Sequence, residues 1–199
     1  MSRARRNSCL LIVLILGLSW AAQAATVLQM NLEQMVGRSD RIFRGTVLDI
    51  HEGTVQAGGS ALPVVTYRVR VEEAFKGTFD QVKGMQVAEI KMLGKLKSGP
   101  GSAQAHSPAP LIDLPHLQVG HDYLLLVTPK SAIGLSTTVG LGQGCFQVTG
   151  KPGQELAVNL NQNLGLLNGM GGSSLAAEEP AQGPMPYSVL ANLIRGIVD

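Results

Sequence analysis

The strongest constraint on the fold is a stretch in which apolar and polar side chains alternate. Between positions 65 and 71 the odd residues are Val, Tyr, Val and Val, and the even residues are Thr, Arg and Arg. This period of two is that of a β-strand with one buried and one solvated face. Strands of parallel sheets are covered on both faces and lose the alternation. The stretch therefore predicts an antiparallel, mainly β fold.

Other segments predict the neighbouring strands. Residues 42–50 and 85–92 are rich in β-formers, and Gly45 inside the first segment predicts a bulge or a tight bend. The apolar run Tyr123–Val127 predicts a strand that is covered on both faces. Residues 137–149 contain two short apolar segments around a Gly-Gln-Gly sequence, which predicts a hairpin.

Two helices are predicted at the ends of this strand series. Asn31 is expected to cap a short helix that Gly37 ends. Ser188 is expected to cap a final helix with apolar residues along one side. That apolar side either docks on the domain's own core or is presented to a partner.

The order of these elements favours a small antiparallel barrel of five to six strands, OB-like and partly open, with a short N-terminal and a C-terminal helix. A β-sandwich is the second choice, and the lack of strand–helix alternation disfavours a doubly wound sheet. The predicted organisation is a signal peptide at 1–24, a barrel domain at 25–158, a flexible linker rich in Gly, Asn and Pro at 159–186, and an amphipathic helix at 187–199.

The first 24 residues have the organisation of a secretory signal. Arg3, Arg5 and Arg6 precede the apolar run Leu10–Leu18, and a small-x-small site ends at Ala24. The run is too short for a resident membrane helix, and no later stretch reaches the length needed to span a bilayer. We therefore expect a protein that is exported to the periplasm or the extracellular medium, with no integral membrane segment in its mature form.

The charge balance of the remaining chain argues against a nucleic-acid partner. The whole sequence has 16 Lys and Arg against 14 Asp and Glu, but three of the Arg residues lie in the leader. The rest therefore has 13 basic and 14 acidic residues, with no basic patch that would attract a polyanion.

The sequence offers few candidates for catalysis or metal binding. Cys145 is the only cysteine outside the leader, and it would need His116 or His121 as a base to act as a hydrolase nucleophile. The two histidines, with Asp113 and Asp122 nearby, lack metal-ligand spacing, so we predict no metal site and no cofactor.

Four segments carry a pattern that resembles a group of uncharacterised bacterial exported proteins. They read E-x-M-V-x-x-S-D-x-I-x-x-G-x-V from Glu33, V-T-Y-x-V-x-V-E-x-x-F-K-G from Val65, L-Q-V-G-x-x-Y-L-L-L from Leu117, and G-L-G-Q-G-x-F-x-V from Gly140. That group is similar to the netrin-like barrels of the tissue inhibitors of metalloproteinases. The resemblance implies an OB-like barrel and a role in binding a protease. The animal inhibitors act through an N-terminal cysteine and disulfides, which this chain lacks, so no functional residue carries over.

These observations favour an exported, non-enzymatic module that binds another exported protein, with a protease as one candidate. The expected binding surface is formed by Arg68, Arg70 and Glu72 on the polar face of one strand, together with the loop 94–110. The alternatives are a cysteine-dependent hydrolase that uses Cys145, and a barrel that binds a small ligand or a glycan.

We predict that the exported protein lacks the leader. Signal peptidase cleaves after a small-x-small site, so the mature chain should begin at Ala25. The intact mass of protein recovered from the envelope or the medium should correspond to residues 25–199. A mass that retains the first 24 residues would contradict the prediction of a cleaved signal.

Overall fold

A computed structural model of the protein describes residues 28–96, 114–170 and 182–199. The predicted leader at 1–24 lies outside these residues. The elements in chain order are α1 (Leu32–Arg38), β1 (Arg41–Ala57), β2 (Ser60–Lys76), β3 (Asp80–Val82), β4 (Met85–Leu93), β5 (Asp122–Val127), a 3₁₀ turn (Leu141–Gly144), β6 (Cys145–Thr149), β7 (Leu156–Asn159), β8 (Met185–Pro186) and α2 (Tyr187–Val198).

The strands form one antiparallel sheet in the order β3-β4-β2-β1-β5-β6-β7-β8. The mainly β, antiparallel character predicted from the sequence is therefore confirmed. The described sheet has eight strands instead of five or six, and it is not closed into a barrel. The additional strands β3, β7 and β8 have only two to four residues each, which is too short for a recognisable alternation.

Each face of the sheet carries its own hydrophobic cluster. One cluster joins both helices to the half of the sheet around β5, β6 and β7. The other lies on the opposite face and takes its side chains mainly from β1, β2, β4 and β5. The alternating residues 65, 67, 69 and 71 all belong to this second cluster, as predicted. The run Tyr123–Val127 alternates between the two clusters, so the prediction of a strand covered on both faces is confirmed.

Two hydrogen bonds join the free edge of β4 to Arg41 of β1 and to the loop after β5. The Ser136 backbone N–H, in the loop after β5, donates to the Lys91 carbonyl of β4 at 2.9 Å. The Arg41 guanidinium donates to the Glu89 carbonyl at 3.1 Å. These contacts occupy carbonyl groups at the free edge of β4, which would otherwise be open to pairing with another chain.

Gly45 allows β1 to pair with a neighbouring strand on each side and so to connect the two halves of the sheet. The segment Arg41–Thr46 pairs with β5 on one side, and β1 pairs with β2 on its other side from Ile42 to Ala57. The register with β2 shifts between Arg44 and Gly45, which confirms the bulge predicted there. A Cβ atom at position 45 would lie 2.1 Å from the Arg70 carbonyl oxygen, so only glycine fits this close approach.

Both predicted helices are present, with differences at their ends. Asn31 caps α1 in a reciprocal arrangement with Gln34, as expected, but the helix continues through Gly37 to Arg38. Helix α2 begins at Tyr187, with Pro186 as its N-cap, so the prediction that Ser188 caps it is wrong. Proline supplies the required backbone angle without a side-chain bond. The apolar side of α2 docks on the first cluster through Leu190, Ala191 and Ile194.

The predicted hairpin at 137–149 is also wrong. Strand β6 pairs with β5 and β7, and the preceding segment makes only one bridge, between Thr138 and Val127. The Gly-Gln-Gly sequence belongs to the 3₁₀ turn, and the side chain of Gln143 is buried there. Its amide bonds the Met30 N–H and the Leu28 carbonyl, which ties this turn to the segment before α1.

The range 159–186, predicted as a flexible linker, is packed in its described part. Residues 160–170 form consecutive turns, and Asn163 and Leu166 in them are buried. The Asn159 side chain accepts the backbone N–H groups of Asn161 and Asn163, and the Asn163 amide donates to the Ala157 and Gly183 carbonyls. Buried amides thus satisfy the backbone of these turns. Residues 171–181 lie outside the described residues.

We predict that Gly45→Ala destabilises the protein strongly, because the new methyl group would collide with the Arg70 backbone. The free energy of unfolding should fall by about 2 kcal/mol or more, as measured by urea denaturation. Gly53→Ala in the same strand is the matched control, since its Cβ would meet only Val64 at 3.8 Å. The control should change stability by less than about 0.5 kcal/mol. Equal effects of the two substitutions would contradict the close approach at Gly45.

Candidate functional site

Arg68, Arg70 and Glu72 lie in a row on the outer face of β2, opposite the second hydrophobic cluster. Their side chains are 38%, 45% and 32% exposed. Strand alternation places them there, because the residues between them point into the core. Of the loop 94–110, which was expected to join this surface, only residues 94–96 are described.

Each of the three side chains is held by a partner. Arg68 bonds Asp49 of β1 at 3.0 Å, and Arg70 bonds Glu72 at 2.8 Å. The Thr46 hydroxyl of β1 lies 2.7 Å from Glu72 and 2.5 Å from Asp122 of β5. A hydroxyl has one proton, so it donates to one of these carboxylates at a time. The side chains of β2, β1 and β5 are therefore linked across three strands.

Arg44 extends this row toward the C-terminal helix. Its guanidinium lies between Asp122 at 3.3 Å and Glu155 at 3.4 Å, and it stacks over the Tyr187 ring at 4.5 Å. Burial alone would lower the pKa of Arg44, but the hydrogen bond to Asp122 and the nearby charges raise it. The backbone N–H groups of Glu155 itself and of Gly153, together with Arg44, hold the pKa of Glu155 below its usual range.

A second group of contacts fastens α2 to β2. The Tyr187 hydroxyl donates to Glu73 at 2.6 Å, and Arg195 forms an ion pair with the same carboxylate. Arg195 also lies over the Phe75 ring, 5.3 Å from its centroid. Burial, followed by the hydrogen bond to Glu73, raises the pKa of Tyr187, so the phenol stays protonated and donates at neutral pH.

We call this connected surface the charged stripe. Its four arginines face five carboxylates in the residues Arg44, Arg68, Arg70, Arg195, Asp49, Glu72, Glu73, Asp122 and Glu155. The stripe is thus close to neutral as a whole, with opposite charges alternating along it. It has no excess of positive charge that would attract a polyanion.

Sequence reasoning identified three of these residues and missed the others. Arg44, Thr46 and Asp49 come from β1, and Asp122 and Glu155 lie far away in the chain. Their approach depends on strand register, which is shifted by the bulges in β1. In β1 the available signal was the pair of polar residues on either side of Gly45, Arg44 and Thr46, followed by Asp49.

No hydrogen bond among the described residues joins Cys145 to His116 or His121, the bases proposed for cysteine catalysis. The Cys145 side chain is buried, and burial raises the pKa of its thiol to about 12. A cysteine nucleophile needs the opposite shift, since the thiolate is the reactive form. His121 Nδ1 lies 3.3 Å from the Gln147 side-chain nitrogen, and His116 is exposed.

Two other features concern metals and membranes. Within residues 28–96, 114–170 and 182–199, no three His, Cys, Asp or Glu side chains are grouped so that they could hold a metal ion. Asp113, which was considered together with His116 and His121, lies outside these ranges. No helix in the described part of the chain is long and apolar enough to cross a bilayer.

We predict that the Cys145 thiol of the folded protein reacts very slowly with an aromatic disulfide at mildly alkaline pH. Almost none of it is ionised at a pH far below 12, and the side chain is covered. Release of the coloured thiol should be measured on residues 25–199, in which Cys145 is the single cysteine. The same protein in denaturant should react rapidly and serves as the control. Rapid reaction in the native state would instead support the hydrolase hypothesis.

Comparison with known proteins assigns neither a family nor a function to this surface. No family model matches the chain, and no curated protein or solved structure is significantly similar to it. The resemblance to exported barrel proteins therefore stays a prediction from the sequence motifs.

Proposed function

We propose that this chain is an exported, non-enzymatic module that binds another exported protein through the charged stripe. The observation that carries the proposal is the array of arginines on β2, each held in place by a carboxylate. The predicted leader and the burial of Cys145, which keeps its thiol protonated, support the same view. A protease is the first candidate partner, because the sequence motifs resemble a group that is similar to protease inhibitors.

The held arginines lower the entropic cost of binding. A free arginine side chain loses rotamer freedom when a partner fixes it, at a cost of about 0.5–1.5 kcal/mol per side chain. Arg68 and Arg70 already have a fixed partner, Asp49 and Glu72 respectively. Each guanidinium has five N–H donors, of which the ion pair uses a part. The remaining donors are available for carbonyl or carboxylate groups of a bound protein.

The near-neutral stripe favours a partner with mixed polar groups over a strongly charged one. Each arginine is flanked by an acidic side chain, so a uniformly acidic partner would meet repulsion beside every attraction. A segment in which carboxylates or carbonyls alternate with amide or amine groups would fit this pattern. Arginine is also enriched at protein interfaces, because it combines a planar donor array with apolar contact.

We also propose that β1, β2, β4 and β5 curl into a partial barrel of the OB-like kind that the sequence predicts. The bonds from Ser136 to Lys91 and from Arg41 to Glu89 support this, since they link the open edge of β4 to the β5 side. In such a partial barrel the outer face of β1 and β2 is convex, and a partner could approach the stripe without obstruction.

The test is charge reversal on β2. The double variant Arg68→Glu and Arg70→Glu should lose the partner that the tagged native protein retains when purified from its own host. Carboxylates would then oppose the partner's acceptors, and we expect binding at least about tenfold weaker. Circular dichroism and urea denaturation should show a folded protein, because exposed ion pairs contribute little to stability.

A matched control makes the same change in charge elsewhere. Lys130→Glu and Lys151→Glu alter two exposed residues in loops outside the stripe. The control should retain the partner at native levels. Retention by the β2 variant, or equal loss from both variants, would exclude the stripe as the binding surface.

A further inference from the structure

A second surface, on the opposite side of β5 from the charged stripe, forms a cleft. Its volume is about 300 Å³, and it lies between the segment before β5 and strands β6 and β7. Tyr123 and Cys145 are buried members of its lining, and both belong to the second hydrophobic cluster. Asp122 of the stripe, one residue earlier, points to the other face. The two surfaces are therefore separate.

The polar lining of the cleft consists mainly of amide and imidazole groups. His116, Gln118, Gln147, Asn159 and Gln162 line it, and no Asp, Glu, Lys or Arg of the described residues does so. A charged ligand would give up part of its hydration there without gaining a carboxylate, ammonium or guanidinium partner. The cleft therefore suits an uncharged ligand.

The glutamines provide both donors and acceptors of hydrogen bonds. A side-chain amide offers two N–H donors and a carbonyl acceptor. The Gln147 nitrogen is engaged with His121 at 3.3 Å, which leaves its carbonyl oxygen as an acceptor. Among the described residues, the side chains of Gln118 and Gln162 bond to no other side chain. A ligand with many hydroxyl groups matches this mixture, since each hydroxyl both donates and accepts.

One wall of the cleft is apolar and held in position. Leu160 lines it and is 60% exposed, which is unusual for a leucine beside buried turns. Leu160 packs so closely on Gly142 that a Cβ atom there would lie 2.6 Å from it. The preceding residue, Asn159, fixes the turn through its buried amide. A ring that carries C–H groups on its faces and hydroxyl groups around its edge is complementary to an apolar wall beside amide groups.

We propose that this cleft binds an uncharged polyhydroxylated ring, that is, a neutral sugar unit. The sugar is either free or at the end of a glycan chain. The volume lies at the small end of the range of ligand pockets, which fits a single ring better than an extended chain. This site does not depend on the proposed protein-binding role of the stripe.

The test is nuclear magnetic resonance of the side-chain amides that line the cleft. The purified protein, labelled with nitrogen-15, is titrated with glucose, galactose and N-acetylglucosamine, with short oligomers of each, and with glucuronic acid as a charged comparison. At least one neutral sugar should shift the Gln118, Gln147 and Gln162 amide signals in a saturable way. Tighter binding of oligomers would identify a glycan end as the source, and equal affinity would identify a free sugar.

Two variants, each with a matched control, test whether the sugar binds in the cleft. Gln162→Ala and Leu160→Ala should each weaken binding by about five- to tenfold, the value expected for one lost hydrogen bond or apolar contact. The matched controls are Gln86→Ala on β4 and Leu164→Ala, which are exposed residues outside the cleft lining. They should bind like the native protein. Absence of saturable shifts with every neutral sugar, a response to glucuronic acid alone, or equal losses in variants and controls would overturn the proposal.

Discussion

The close approach of β1 to its neighbour β2 at Gly45 is the constraint on which the rest of the structure depends. β1 lies between β2 and β5, and residues 42–46 pair on both sides at once. The side chains of Ile42 and Phe43 are both fully buried, in different clusters on opposite faces of the sheet. A side chain at position 45 would separate the two strands at this point. Glycine at this position therefore allows β1 to pair with β2 and β5 at the same point.

The same geometry creates the charged stripe. Register shifts in β1 bring Thr46 and Asp49 beside the arginines of β2, and pairing with β5 brings Asp122 beside Arg44. Helix α2 then completes the stripe through Tyr187 and Arg195, while its apolar side closes the first cluster. The surface proposed to bind a partner is therefore fixed by the packing of the core beneath it, which makes it a rigid platform.

Sequence patterns predicted the parts of this fold that follow from local periodicity. The alternation at 65–71, the doubly covered β5, the bulge at Gly45 and the amphipathic C-terminal helix all have a local signal. The failures concern contacts between distant residues. The buried amides of Gln143, Asn159 and Asn163 turn polar, glycine-rich segments into packed structure, and their composition alone indicated a hairpin turn or a linker. Three members of the stripe were predicted because one strand carries them, whereas its other members needed the strand register.

Native-state hydrogen exchange at increasing denaturant would test most directly whether β1 unites the two halves. Amides of β1 between residues 42 and 47 should exchange only by global unfolding. We predict the same free energy of opening for the most protected amides of β4 on one side of β1, and for those of β7 and α2 on the other side. If β7 and α2 lost protection at a distinctly lower free energy while β1, β2 and β4 stayed protected, the halves would be separate units. That result would contradict the dependence of both clusters, and of the charged stripe, on the close approach at Gly45.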